Sequence, residues 1–318
     1  MVKIAIVNSS SFARLIPEHA RRLRRLGPAR RFMVPIDIDG AELGRLLRGY
    51  PYVVASVNPT FDAAFFDACG PGLRLLARHG IGTNNVDLRA AHEHGVLVTK
   101  VAGVVEREAM AEHSVALLLA CLRRLSPAQA KVRARGWHER SAFVGTESRG
   151  RKVGIFGLGN IGSRVAQILA RGFGAEILAC DPKVRAAQAS AGEIYRHADI
   201  ISLHCSLSPQ NRHMLGREAF ARMRRGVVLV NTARGELVAL QPLLAALKSG
   251  QVAAYGADVV EGEPVTDRKH PLLRQPNALI VPHIGAYTRE SLEGMGAKML
   301  DDIEAVLKGR RPQELARP

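Results

Sequence analysis

The chain has 318 residues, 47% of them hydrophobic and 23% charged, enough for two domains with cores of their own. No stretch approaches the roughly 18 unbroken apolar residues of a membrane helix. The N-terminal Met-Val-Lys-Ile-Ala-Ile-Val runs straight into a strand pattern rather than a secretion signal, and the four cysteines, at 69, 121, 180 and 205, form no C-x-x-C pair, so a cytoplasmic protein with reduced thiols and no metal site is expected.

The formal net charge of +16 is carried by runs such as Arg21, Arg22, Arg24 and Arg25, or Arg310 and Arg311. These lack interleaved aromatics, and no helix-turn-helix or zinc-finger spacing accompanies them, so no nucleic-acid partner is predicted. A positive field of this kind instead draws in small anionic substrates.

In chain order, short apolar runs at 3–7, 52–56, 73–76 and 96–101 alternate with amphipathic segments and predict a first α/β sheet. A helix is expected over 106–122, apolar over so much of its circumference that it should be buried between domains or subunits. Residues 126–151 are polar, basic and poorly periodic, and read as an arm or connector. A second alternating series follows, with strands at 152–156, 176–181, 199–203, 227–231, 252–257 and 278–281. That is the pattern of a doubly wound parallel sheet. A last helix, 289–308, is placed to return to the first domain. The fold class predicted is α/β, with two Rossmann-like doubly wound parallel-sheet domains.

The most specific local signal is the G-x-G-x-x-G turn of Gly157, Gly159 and Gly162. A short apolar strand precedes it and a helix follows. Gly157 permits the tight turn, Gly159 lets the backbone approach a pyrophosphate, and Gly162 allows close helix–strand packing. The helix N-terminus offers free N–H groups to the phosphates. Asp181 ends the next strand about 20 residues on, where an acid takes the ribose hydroxyls of a dinucleotide. A carboxylate there repels a 2′-phosphate, so NAD is expected and NADP is less favoured, with Lys183 and Arg185 close enough to temper the preference.

Ligands of an open parallel sheet sit beyond the carboxyl ends of its strands. Three ends carry chemistry: 227–231 runs into Arg234, 252–257 into Asp258 and Glu263, and 278–281 into His283. An arginine binds a carboxylate in a fork. A histidine exchanges a proton with a carbonyl or hydroxyl oxygen, and a glutamate on its other nitrogen orients the ring. That trio suits hydride exchange on a 2-oxo acid. His204 also ends a strand and competes for the base; His113, inside the apolar helix, reads as structural.

These segments, together with 80–87 (Gly-Ile-Gly-Thr-Asn-Asn-Val-Asp), 111–113 (Ala-Glu-His), 198–204, 231–236, 258–264 and 282–285, resemble the NAD-dependent D-isomer-specific 2-hydroxyacid dehydrogenases nearly end to end. The resemblance implies Arg234, Glu263 and His283 as the catalytic set. It implies NAD contacts from Asn160, Ile161, Asp181, Cys205, Ser206, Asn211, Thr232, Ala233, Asp258 and Gly285, beside the three glycines. Gly80 and Ile81 would offer backbone N–H groups to the substrate carboxylate. The family's layout implies a discontinuous substrate domain, 1–100 and 288–318, around an NAD-binding domain, 101–287. Closure of the two would hinge near Lys100 and Tyr287, and helix 106–122 would build a homodimer.

Some positions depart from the family. Ser206 stands where proline is usual, which alters the cofactor loop and not the chemistry. Lys100 stands where many members carry an uncharged residue; it reads first as a lysine snorkelling to the surface, and otherwise as a charge serving a distal carboxylate or phosphate of the substrate. The loop Ser56, Val57, Asn58 lacks the arginines that phosphoglycerate dehydrogenases tend to place there, and no extra regulatory domain is expected after Pro318. The leading reading is a dehydrogenase for a small D-2-hydroxy acid. Glyoxylate or hydroxypyruvate reductase stands second and phosphoglycerate dehydrogenase third. The reading from another class is an NAD-sensing, corepressor-like interaction protein, against which the full catalytic trio counts.

Overall fold

A computed structural model describes residues 2–318. The chain divides into two compact units: one from the segments Met1–Glu106 and Tyr287–Pro318, the other Arg107–Ala286.

The first unit holds five parallel strands, β1 (Ile4–Val7), β2 (Ala29–Phe32), β3 (Tyr52–Ala55), β4 (Leu75–Arg78) and β5 (Leu97–Thr99), in the order β2-β1-β3-β4-β5. Every residue of β1, β3 and β4 is buried, as expected of parallel strands covered on both faces. β4 begins and ends two residues later than its apolar run indicates. β2, Ala-Arg-Arg-Phe, escapes the hydrophobic pattern because it lies at the sheet edge, where only Phe32 is buried and charged residues are tolerated. Arg31 turns its guanidinium to the carbonyls of Ser9 and Phe12. The helix Arg289–Leu307 packs against β4 and against helix Pro17–Leu26. The chain end then runs beside β5, with Lys100 N–H donating to the Glu314 carbonyl and Ala316 N–H to that of Val98.

The second unit holds six parallel strands, β6 (Lys152–Phe156), β7 (Glu176–Cys180), β8 (Ile200–Leu203), β9 (Val227–Asn231), β10 (Val252–Ala257) and β11 (Ala278–Ile280), in the order β11-β10-β9-β8-β6-β7. Alternate residues serve opposite cores. Ile201, Leu203, Leu229 and Tyr255 share one cluster; Val153, Ile155, Ile200, Val228 and Val230 share the other. The period of two is that of strands buried on both sides. The order reverses at β6, flanked by β8 and β7, and this is the switch point at which an open sheet binds its ligand.

Helix Arg107–Leu122 spends its apolar circumference inside this unit, on β9, β10 and helix Asn160–Phe173. No other domain or subunit is needed to account for its buried residues. The stretch expected to be an irregular arm contains a helix, Leu125–Arg133, and a 3₁₀ segment, Trp137–Phe143, neither with a buried residue. Trp137 and Val144 on it are 70% and 78% exposed. No helix among the described residues is long and apolar enough to cross a membrane. All four cysteines are free, and no cluster of metal-ligating side chains occurs among the described residues.

Candidate functional site

The glycine turn joins β6 to helix Asn160–Phe173, and each glycine has its own reason. Gly157 has φ +90° and donates to the Cys180 carbonyl at 2.9 Å; a Cβ on it would lie 2.6 Å from the backbone nitrogen of Cys205. A Cβ on Gly162 would sit 1.9 Å from the Gly157 carbonyl oxygen. Gly159 is the opposite case: a Cβ there meets no atom within 4 Å. Its smallness therefore serves nothing inside the chain and leaves room for a ligand at a helix start with no side-chain cap. Asn160 and Ile161 form the first turn of that helix. Asp181 follows β7, its carboxylate accepting N–H groups of Leu158 and Lys183, both at 2.8 Å. The acid is thus held beside the glycine turn, and an open cradle with an acid at its rim fits a dinucleotide.

Arg234 follows β9 and is shaped by Asn231, a fully buried side chain that sequence reasoning passed over. Asn231 Nδ2 donates to the Arg234 carbonyl at 2.8 Å and its Oδ1 accepts from Ala233 N–H at 3.0 Å. Arg234 Nη1 in turn donates to the Ala233 carbonyl at 2.6 Å. The next residue, Gly235, is pressed against the turn that carries Glu263. A Cβ on it would lie 2.1 Å from both Val260 C and Glu261 N. Glu263 Oε2 accepts from Val260 N–H at 3.1 Å and Oε1 meets His283 Nδ1 at 2.5 Å. The acid–imidazole pair expected from strand ends alone is therefore formed. About a third of each side chain is exposed, which leaves His283 Nε2 as the nitrogen available for proton exchange.

Asp258 is 1% exposed and holds the His283 loop. Its oxygens accept from Ile284 N–H at 2.7 Å and Gly285 N–H at 2.8 Å, and His113 Nε2 lies 3.3 Å away, an ion-pair distance rather than an aligned hydrogen bond. Burial pushes the carboxyl up, but His113 and the two N–H groups outweigh it and hold Asp258 below its usual range. Its contact with Asp258 supports a structural reading of His113. His204, the competing base, is half-buried, its Nε2 lies 2.8 Å from Ser202 Oγ, and desolvation drives its pKa down to about 4, which counts against it as the base.

The remaining expected cofactor residues shape loops at the same carboxyl edge. Asn211 donates to the Ser206 carbonyl at 2.8 Å and accepts from Ser208 N–H at 2.7 Å. Cys205 lies beside Gly157, its thiol pushed up to about 11 by burial. Thr232 is buried against Ser114, Oγ to Oγ at 2.8 Å. Gly285 is closely packed: a Cβ would lie 2.6 Å from Met110 Sδ and 2.8 Å from Asp258 Oδ2. In the first unit, Gly80 and Ile81 follow β4, with Gly80 at φ +150° and its carbonyl accepting Val101 N–H at 3.0 Å. Lys100 follows β5, its ammonium without a hydrogen-bond or ion-pair partner among the described residues. Arg78, buried under this loop and bonded to the His79 carbonyl at 2.7 Å, gives no sequence signal, since an arginine ending an apolar strand reads as surface.

Residues 115–285 match the NAD binding domain of the D-isomer specific 2-hydroxyacid dehydrogenases, and the chain belongs to that family. The second unit is accordingly its NAD-binding domain. The D-3-phosphoglycerate dehydrogenase of Mycobacterium leprae is 38% identical over 283 residues, 86% of this chain and 52% of that protein; the chain spans about half the length of such relatives. The hydroxypyruvate reductase of Thermotoga maritima is 37% identical over 240 residues, 74% of this chain and 78% of the relative. Among solved structures, the TT0316 protein of Thermus thermophilus superposes with a TM-score of 0.87 at 32% identity, covering 98% of this chain and 99% of the other.

Proposed function

We propose that the protein is an NAD-dependent oxidoreductase interconverting a small 2-oxo acid and its D-2-hydroxy acid. The observation that carries this reading is the 2.5 Å contact of His283 Nδ1 with Glu263 Oε1, on a turn packed against Gly235, the residue after Arg234. NADH, when bound, supplies the hydride. Asn160, Ile161, Asp181, Cys205, Ser206, Asn211, Thr232, Ala233, Asp258 and Gly285 are the chain's proposed contacts to it, with the three glycines of the turn. Arg234 binds the substrate carboxylate in a fork and polarises the ketone. His283 Nε2 gives a proton to the carbonyl oxygen as the alkoxide forms, and takes it back in the oxidative direction. Glu263 holds the ring through the other nitrogen and balances its charge.

Ile81 is proposed to donate its backbone N–H to the same carboxylate, joined by Gly80 once its N–H leaves the Arg78 carbonyl it meets at 2.9 Å, and Lys100 to meet a distal anionic group. An unchanged KM for every active substrate in Lys100→Ala would remove Lys100 from the site. A homodimer in the cytoplasm completes the proposal, supported by the exposed Trp137 and Val144 and by the four free thiols. The test is NADH oxidation across a panel holding pyruvate, glyoxylate, hydroxypyruvate, phenylpyruvate, 2-oxoglutarate and phosphohydroxypyruvate, with NADPH in parallel and His283→Ala as control. Turnover that vanishes in the control supports the reading. Turnover that survives it removes His283 from the chemistry.

A further inference from the structure

Glu261 lies two residues before Glu263 and is absent from the set the family implies. Its Oε1 accepts a short hydrogen bond from Arg212 Nη2, and its Oε2 meets His213 Nε2 at 2.8 Å. Both side chains come from the far end of the loop that begins at Cys205. That loop is internally tied: Asn211 bonds Ser206 and Ser208, and Arg212 N–H donates to the Ser208 carbonyl at 3.1 Å. His213 has φ +53°, a left-handed conformation uncommon outside glycine. Its N–H is anchored on the Glu236 carbonyl at 2.7 Å, and Leu215 N–H follows onto that of Leu237 at 3.1 Å. On the other side, the Glu261 backbone is the atom group pressed onto Gly235. The turn it opens is closed by Glu263 N–H to the Val260 carbonyl at 3.2 Å.

Three segments thus meet at one carboxylate: the loop after β8, the start of the segment after Arg234, and the turn presenting Glu263. We infer that Glu261 is a positioning residue, clamping the cofactor loop after β8 to the turn of Glu263, so that ordering of that loop is transmitted to the Glu263–His283 pair. The inference rests on the proposed dehydrogenase reading for its kinetic consequence, but not for its structural one. The carboxylate serves by bridging two side chains of one loop, Arg212 and His213, while its own backbone is locked in another. Its worth lies in geometry, since exposed ion pairs contribute little to stability.

The test uses the full-length protein with Glu261→Ala and Glu261→Gln, the latter keeping one acceptor oxygen. Glu261→Ala is expected to lower kcat about tenfold and weaken NADH binding several-fold, in the usual range of coupling between contacting residues. KM for the 2-oxo acid and the unfolding midpoint should stay near the parent's, and Glu261→Gln should fall between. In a Glu263→Gln background, adding Glu261→Ala should cost no further kcat, because the residue acts through Glu263. An equal loss in both backgrounds, or parental kcat in Glu261→Ala, overturns the inference. If no 2-oxo acid is turned over by the parent, the functional reading fails on its own. The downfield proton resonance of the His283–Glu263 hydrogen bond then decides. A shift on adding NADH that is lost in Glu261→Ala sustains the clamp, and a shift that persists in the variant overturns it.

Discussion

Replacing Asp258 by asparagine separates the two duties of the His283 loop, because the change is nearly isosteric and removes only a charge and one acceptor. In the parent, Oδ1 accepts from Ile284 N–H at 2.7 Å and Oδ2 from Gly285 N–H at 2.8 Å. An amide puts an NH2 group where one oxygen was, so one buried N–H faces a donor. A buried group stripped of its partner costs about 1–3 kcal/mol, and bonds to a charged acceptor lie at the upper end. His113, 3.3 Å away, also loses its anionic neighbour. A total loss of about 2–4 kcal/mol in the NAD-binding unit follows. Ile284 and Gly285 directly follow His283, so the displaced loop should also cost turnover. Urea unfolding monitored on the parent and on Asp258→Asn measures the first, as a lower midpoint at unchanged slope, and NADH oxidation measures the second. The pH dependence has the matching sign. A depressed folded pKa makes the contribution of Asp258 fully present above its unfolded pKa, 3.8, and lost as the pH falls through the folded value. A variant within about 0.5 kcal/mol of the parent and equally active would refute the assignment.

Other outcomes follow from the same geometry. Gly162→Ala should abolish NADH binding and destabilise the second unit, since its Cβ would lie 1.9 Å from the Gly157 carbonyl oxygen. Gly159→Ala, with open space around its Cβ, should unfold like the parent yet bind NADH at least about tenfold more weakly; the two are compared by calorimetry and NADH fluorescence. Desolvation holds His204 and the buried His79 to pKa values of about 4 and about 3, so both stabilise the fold fully above their unfolded pKa of 6.5. Each should lose roughly 1.4 kcal/mol per pH unit as the pH drops below that, towards the folded value, seen as acid-sensitive unfolding that His204→Asn lessens. Arg234→Ala should lower kcat/KM by about a hundredfold or more through lost carboxylate binding and ketone polarisation, and near-parental kinetics would remove Arg234 from the site.

Legibility in the sequence followed the physics of each element. The inner strands β6, β8 and β9 of the second unit were readable because both their faces are buried, leaving continuous apolar runs, and the half-buried edge strands β7 and β11 kept enough apolar residues to be read with them. β2 was not, because an edge strand with two arginines makes its ladder without a hydrophobic signature. The glycine turn and the Arg234, Glu263 and His283 positions stood out because unusual residue types followed strand ends. What could not be read were the supports: Asn231 folding the Arg234 turn, Gly235 against Glu261, Thr232 on Ser114, and the Asp258 grip on Ile284 and Gly285. These are contacts between residues 3 to 118 positions apart, and no periodicity encodes them. Asp258 was expected near the cofactor, and the structure adds the backbone groups its carboxylate already serves. Helix 106–122 shows the converse limit. Its apolar circumference announced burial but did not specify the partner, which is the sheet of its own unit.

The most direct test of the central claim is reaction of the purified protein with NADH and each 2-oxo acid of the panel, with chiral analysis of the hydroxy acid formed. NADH consumption in step with a D-2-hydroxy acid, lost in both His283→Ala and Arg234→Ala, is the predicted result. An L product, or turnover that survives both substitutions, would contradict the assignment of the Glu263–His283 pair and Arg234 as the site of hydride exchange.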